Sequence, residues 1–308
     1  MCIRDRCNEG ESVLVKRNTL AEKYFIELIS VFKEQNWDIE ESISGENSVF
    51  DMFCKRLEEL ESDADRELML ELTRKYLVVD LEEYGKYMVN VFRKFIDRNK
   101  DKLDKMEVIH MFPVQDKDYP AKTKSGNVMC YLFQGNLMRR FDEFRNKRIR
   151  IIETFDGLEK YKEDIECLLL VDDFVGTGDT ILGCINLIEG KGIKKEKIKA
   201  LTLVMQEQGR NAVEEYGVET YSAVLRNRAI TDNYSIEEAE KKIVQMKNIS
   251  KRIKAKKELY LGYKESEGLV SMIKTPNNTF PFYWYEGKRG GKLCVAPFAR
   301  RNNVGVDV

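Results

Sequence analysis

With 308 residues and 43% hydrophobic content, the chain can bury one large core or two moderate ones, which argues against a disordered protein. Its 52 basic and 53 acidic residues leave a net charge of -1, so no global field draws it to nucleic acid, and a small polar metabolite is the favoured partner. The single histidine, His110, argues against mechanisms built on several imidazole ligands or a His-activated nucleophile.

Seven cysteines (Cys2, Cys7, Cys54, Cys130, Cys167, Cys184, Cys294) form no Cys-x-x-Cys pair, against both a zinc site and a secreted disulfide framework. A reduced, cytoplasmic setting is expected. The longest apolar run, Cys167 to Val171, is far short of a membrane span. Met1 to Arg6 carries no fold signal and reads as a translation artefact, so the natural start is expected to differ.

In chain order, apolar residues recur at helical spacing from Thr19 to Asn36 (Leu20, Tyr24, Phe25, Leu28, Ile29, Phe32), then over Val49 to Leu60 and Arg66 to Phe95. Residues 1–102 therefore read as an N-terminal all-helical domain, ending in the polar stretch Asp97 to Lys105. From 103 to 308 the pattern alternates. Strand-like Val108 to Val114, Arg148 to Thr154, Cys167 to Val171, Lys199 to Met205 and Glu219 to Leu225 are interleaved with helical Asn127 to Arg140, Thr180 to Glu189 and Gly209 to Tyr216. This predicts an α/β domain with a mainly parallel sheet flanked by helices. A long basic helix, Ile236 to Glu258, follows, then a strand at Gly268 to Ile273, a turn at Thr275 to Thr279 and an aromatic run through Trp284 and Tyr285.

Chemistry concentrates in Leu168-Leu169-Leu170-Val171-Asp172-Asp173-Phe174-Val175-Gly176-Thr177-Gly178-Asp179-Thr180. The apolar run suits a central strand buried on both faces, and it ends in two carboxylates. Two glycines let the following backbone turn so that amides converge, and two threonines add hydroxyls. A helix begins at once, presenting its unpaired amides and positive dipole end to the loop, which makes a phosphate site. Acids beside a phosphate need hydroxyls or a hard cation as partners, and a ribose diol with Mg²⁺ supplies both. A P-loop is excluded because no Gly-Lys-Ser/Thr follows.

An apolar strand, Asp-Asp, three residues and Thr-Gly-x-Thr resembles the sugar-phosphate signature of type I phosphoribosyltransferases, and Val171 to Thr180 fits every fixed position. The resemblance implies a phosphoribosyltransferase-like α/β fold after Lys102. It places Asp172 and Asp173 along the ribose hydroxyls as catalytic residues, holding Mg²⁺ directly or through water. Val175, Gly176, Thr177, Gly178, Asp179 and Thr180 would then wrap the 5-phosphate. It also points to Lys124, Ser125 and Gly126, in an early loop, as pyrophosphate contacts, while a solvated turn with a helix cap remains the competing reading. The Thr275-Pro276-Asn277-Asn278-Thr279 element resembles one in phosphoribosyltransferase-like proteins of bacterial conflict and antiphage systems. Asn277 and Asn278 are candidate base contacts there, against an ordinary Asx turn with core aromatics. Gln206 follows a strand and is a third candidate for the same crevice.

The expected ligand is phosphoribosyl pyrophosphate or a nucleotide, with transfer or cleavage at ribose C1 and the acceptor left open. Use as a defence effector follows from resemblance alone. Two other classes fit the same chain. One is a non-catalytic nucleotide or phosphoribosyl pyrophosphate sensor that regulates a partner protein through the helical region. The other is a nucleic-acid adaptor using the basic residues of Lys241 to Lys257, against which the neutral net charge weighs. A homodimer is compatible with any of them.

Overall fold

The computed structural model describes residues 20–43, 46–115, 125–135, 138–289, 292–293 and 295–300. Among the described residues the first elements are α1 (Glu22–Gln35), α2 (Val49–Glu58), α3 (Asp63–Thr73), β1 (Leu77–Val78) and α4 (Leu81–Leu103). Next come β2 (Val108–Pro113), α5 (Ser125–Gln134), α6 (Asp142–Arg145), β3 (Arg148–Ile151), α7 (Phe155–Tyr161), β4 (Leu168–Val175), α8 (Asp179–Gly190), β5 (Ile198–Gln206), α9 (Glu207–Tyr216) and β6 (Glu219–Arg226). The last are α10 (Ile236–Arg252), β7 (Val270–Ser271), α11 (Pro281–Trp284), β8 (Lys288–Arg289) and β9 (Lys292–Leu293).

The helical pattern expected across Arg66 to Phe95 is two helices. Ser62 caps α3 by accepting from the Asp65 amide, and Asp80 caps α4 by accepting from the Glu83 amide. Between the caps, Leu77 and Val78 turn extended and pair in parallel with Val270 and Ser271. The aromatic Tyr76 and the β-branched Val78 and Val79 favour that break.

Contacts divide the chain into two compact units, Val79–Asn227 and the two flanking stretches, up to Val78 and from Arg228 onward. The division differs from the expected single break near Lys102. The reason is α4, which lies almost wholly before the expected break yet packs on β5 and β6 of the sheet. Its buried stripe, Tyr84, Met88, Val91, Phe92 and Phe95, is a core face rather than the surface of a separate helical domain.

The flanking unit joins α1, α2, α3 and α10 around one apolar cluster that includes Phe32, Phe53, Tyr76, Phe280 and Tyr283. The C-terminal aromatic run supplies much of it, with the Tyr76 and Tyr283 ring centroids 4.1 Å apart. Buried Arg56 is satisfied by donation to the carbonyls of Phe282 and Tyr285 and by Glu59. Without those acceptors a buried guanidinium would destabilise the core.

The Val79–Asn227 unit is a five-stranded, wholly parallel sheet in the order β3-β2-β4-β5-β6. This is the α/β class that the alternating pattern predicts. Leu168 and Leu170 turn to one face, where they meet Leu158 of α7, Ile181 and Ile185 of α8, and Val213 of α9. Side chains alternate along a strand, so Leu169 and Val171 serve the other face, covered by α4 and α5. Phe92 and Phe133 join those two helices at 4.3 Å. The outer strand β6 is blunted by Lys94, whose Nζ donates to the carbonyls of Ser222 and Ala223 at 2.8 and 3.1 Å.

Candidate functional site

In this sheet β2 has β3 on one side and β4 on the other, so the connections diverge from the carboxyl ends of β2 and β4. A parallel sheet opens a crevice at such a reversal of strand order. The residues after β2 and after β4 meet there. Val114 donates its amide to the Val171 carbonyl at 2.9 Å. A Cβ on Gly126 would lie 2.7 Å from that same oxygen and 3.0 Å from Pro113 Cβ, so glycine is what lets the first turn of α5 reach β4.

β4 continues past the apolar run and carries the acid pair within the strand. Asp172, part-buried, accepts at Oδ1 from Ser125 Oγ at 2.6 Å and from the Asp173 amide at 2.9 Å. Asp173, only 7% exposed, accepts at Oδ2 from the Tyr84 hydroxyl at 2.6 Å. Burial first, and then the neighbouring Asp173 charge, push the Asp172 carboxyl well above the ordinary carboxylate range. The Ser125 hydroxyl and the Asp173 amide oppose that shift.

Beyond the acids, Gly176 is buried, and Thr177 Oγ1 donates to Asp179 Oδ2 at 3.0 Å. Gly178 is the N-cap of α8 in a left-handed conformation, φ +90°. Glycine brings no side chain to cap the helix, so the amides of the first turn point into the loop uncapped from that position. Asp179 and Thr180 are exposed there. The loop is also held from behind, because a Cβ on Gly209 in the first turn of α9 would stand 2.2 Å from the Gly176 carbonyl oxygen. An uncapped helix start beside a glycine-bearing loop can bind an anion such as phosphate through backbone amides.

The structure thus brings together Ser125, Gly126, Asp172, Asp173 and Val175 to Thr180. Gln206, buried at the end of β5, lies one position beyond the Val175–Met205 pair and in register with Arg226, at the same carboxyl edge. Lys124 lies outside the described residues. Asn277 and Asn278 belong to the flanking unit. There the Asn277 carbonyl accepts from the Tyr263 amide, and the Asn278 carbonyl accepts from the Gly268 amide and Ser266 Oγ, each at 2.9 Å. Thr279 Oγ1 donates to the Val270 carbonyl at 2.6 Å, so the element pins the chain around β7.

Other candidates separate from the site. His110 is in register with Leu168, at the opposite end of β4 from the acids. The Cys130 and Cys184 thiols are each pushed up to about 12 by burial, which keeps them protonated and poorly nucleophilic. On α10, Lys241 pairs with Glu237, Lys242 with Glu71, Lys247 with Glu265 and Arg252 with Glu61. Those partners neutralise much of the basic stripe.

Two contributors escaped the sequence reading. Tyr84 sits in a helical apolar pattern, which marks it as core and says nothing of its hydroxyl. Gly209 carried a usable signal, a glycine in the first turn of a helix, where a close backbone approach is a common cause.

For a metal, the donor set is two adjacent carboxylates, hard oxygens of the kind Mg²⁺ takes. Among the described residues no group of three or more His, Cys, Asp or Glu is placed to hold one. The pair therefore fits Mg²⁺ held partly by water and ligand oxygens. Burial first and the Asp173 charge second raise the Asp172 carboxyl, and a cation would offset the second. Among the described residues no helix is long and apolar enough to cross a membrane.

The pattern of the family described as PRTase-CE matches residues 54–293. A xanthine phosphoribosyltransferase from Clostridium acetobutylicum is 34% identical over 65 residues, 21% of this chain and 34% of that protein. The chain thus spans about a third of that relative's length. Among solved structures, an orotate phosphoribosyltransferase from Aeropyrum pernix is 16% identical, covering 47% of this chain and 71% of that one, with a TM-score of 0.29. An HGPRT-ase from Leishmania tarentolae in complex with GMP is likewise 16% identical, covering 50% and 82%, with a TM-score of 0.33.

Proposed function

The chain belongs to the PRTase-CE family, and on that premise we propose that its sheet edge binds the ribose 5-phosphate of phosphoribosyl pyrophosphate or a nucleotide, with Mg²⁺, for displacement at ribose C1. The observation that carries this reading is the meeting of the Asp172–Asp173 pair with the Gly178-started helix at one reversal of strand order. The loop from Val175 to Thr180 holds the 5-phosphate through backbone amides and the Thr177 and Thr180 hydroxyls. The acid pair accepts from the sugar hydroxyls, and Ser125 and Gly126 contact the departing diphosphate, a role the resemblance also gives to Lys124. Bound Mg²⁺ would neutralise charge on the departing pyrophosphate.

Displacement at C1 passes through a transition state resembling an oxocarbenium ion. Holding the sugar, neutralising the departing group and aligning the incoming one supply the rate, so no side-chain nucleophile is needed. That agrees with thiols kept protonated and a histidine remote from the acids. Gln206, at the edge of β5, is the residue we place nearest the acceptor. Use of the site by a phage-defence effector, with water attacking C1 or with a nucleotide cleaved at its glycosidic bond, is the part of the proposal that rests on the Thr275–Thr279 resemblance.

The test is calorimetry with phosphoribosyl pyrophosphate and Mg²⁺. Binding that disappears in Thr177→Val and Gly178→Val supports the reading, and binding indifferent to both overturns it. Incubation with a panel of bases and nucleotides then follows pyrophosphate or free base. Product lost in the Asp172→Asn, Asp173→Asn double variant identifies an enzyme, whereas tight binding without product identifies a sensor.

A further inference from the structure

Each acid of the pair is already engaged by one hydroxyl of the protein. Tyr84, on α4, donates to Asp173 Oδ2 at 2.6 Å, and Ser125, at the start of α5, donates to Asp172 Oδ1 at 2.6 Å. The Asp173 amide adds a second bond to Asp172 Oδ1 at 2.9 Å. Tyr84 is 1% exposed and Asp173 7%, so their bond is shielded from water. Both hydroxyl bonds are short at 2.6 Å, and a hydrogen bond strengthens where water is excluded. A carboxylate is planar, so fixing one oxygen fixes the direction of the other. The opposite oxygen of each acid is then aimed by the protein before any ligand arrives.

We infer that Tyr84 is a positioning residue which, with Ser125 as its counterpart on Asp172, aims the acid pair at a vicinal diol and so sets a preference for ribose over 2′-deoxyribose ligands. The inference rests on the proposed binding of a ribose 5-phosphate. It adds a residue from a helix that precedes the strands of the sheet in the chain, and it assigns a substrate class. A mobile carboxylate can follow whichever hydroxyl a sugar offers. A held one rewards only a sugar with both hydroxyls in place. Losing a hydrogen bond to a charged acceptor is commonly worth ~10-fold in affinity or more.

The experiment compares GMP with 2′-deoxy-GMP, and ribose 5-phosphate alone, by calorimetry with Mg²⁺ on wild type, Tyr84→Phe and Ser125→Ala. Wild type should prefer the ribonucleotide by ~10-fold or more, and Tyr84→Phe should cut that preference to ~3-fold or less while ribose 5-phosphate still binds. Phenylalanine keeps the buried ring, and a matching circular dichroism spectrum and melting curve would establish that the variant folds. Should it not fold, Ser125→Ala gives the same comparison on the other acid and decides the matter. No binding of any of these ligands to wild type would overturn the ribose 5-phosphate reading itself. Wild-type preference that persists in the folded variants would overturn the positioning role and leave that reading standing.

Discussion

The backbone of Gly209 lies so close to that of Gly176 that a Cβ on Gly209 would stand 2.2 Å from the Gly176 carbonyl oxygen and 3.0 Å from Val175 Cγ1. The phosphate loop is therefore braced by the first turn of α9, through main chain on both sides. Neither partner is the flexible end of a side chain, so a methyl group must move the loop or the helix. Gly209→Ala should destabilise the protein by about 1–3 kcal/mol, the usual cost of overpacking, and weaken ribose 5-phosphate binding. Urea unfolding and calorimetry on the same preparation test both halves. An alanine variant as stable and as avid as wild type would show that the loop is not braced.

Gly178 gives a contrasting case, because its constraint is conformational. Its φ of +90° is left-handed, while the nearest atoms to an added Cβ are 3.3 to 3.5 Å away. Gly178→Ala should therefore cost about 1–2 kcal/mol in stability through backbone strain. The α8 amides must also shift if the strain is relieved, so phosphate affinity should fall with it. If the variant unfolds at the wild-type urea midpoint, the positive φ is not required.

Much of this site was legible from the chain. Acids, glycines and threonines between Val171 and Thr180 are contiguous, so their placement follows from a strand, a turn and a helix that local pattern specifies. Ser125 and Gly126 were readable for the same reason, as the start of a helix after a strand. Tyr84 was not, because its role depends on α4 lying across the sheet, 89 residues from Asp173 in sequence. The same long-range packing explains the division of the chain, since a helix that covers a sheet has the same apolar period as one in a bundle. The Gly268–Ile273 strand shortened to Val270–Ser271 for a related reason: only Val270 and Ser271 pair with Leu77 and Val78, while the Gly268 and Phe280 amides bond to the Asn278 and Gly268 carbonyls in an isolated parallel bridge of Gly268 with Thr279.

Asp172→Asn should separate stability from function. Burial and the adjacent Asp173 charge both penalise the ionised Asp172 carboxyl. A neutral amide removes that repulsion, keeps an oxygen able to accept from Ser125 and is nearly isosteric. Without Mg²⁺ or ligand at neutral pH, the variant should resist urea better than wild type by about 1 kcal/mol, while ligand binding falls. Stability and binding lost together would instead mean that the Asp172 charge supports the fold.

His110 permits a clean pH prediction because the chain holds one histidine. Its ring is fully buried in β2, with Arg150 Nη1 3.5 Å from Nε2. Burial first, then the Arg150 guanidinium, hold its pKa below the ordinary imidazole value, and Asp164 opposes them only in part. The unfolded chain, with an imidazole near about 6.5, therefore takes up a proton at a pH where the folded protein does not. Protonation then favours unfolding. Stability from this residue should be intact above about pH 6.5 and fall as the pH drops through that value toward the folded pKa. Urea midpoints from pH 8 to pH 5 should decline more steeply for wild type than for His110→Gln, which cannot take up the proton. The imidazole signal in a proton NMR titration should have its midpoint below pH 6.5. A midpoint at or above that value would remove the basis for the effect. Since His110 lies at the far end of β4 from the acids, ligand affinity in His110→Gln should match wild type at pH 8, which ties the pH effect to folding rather than to the site.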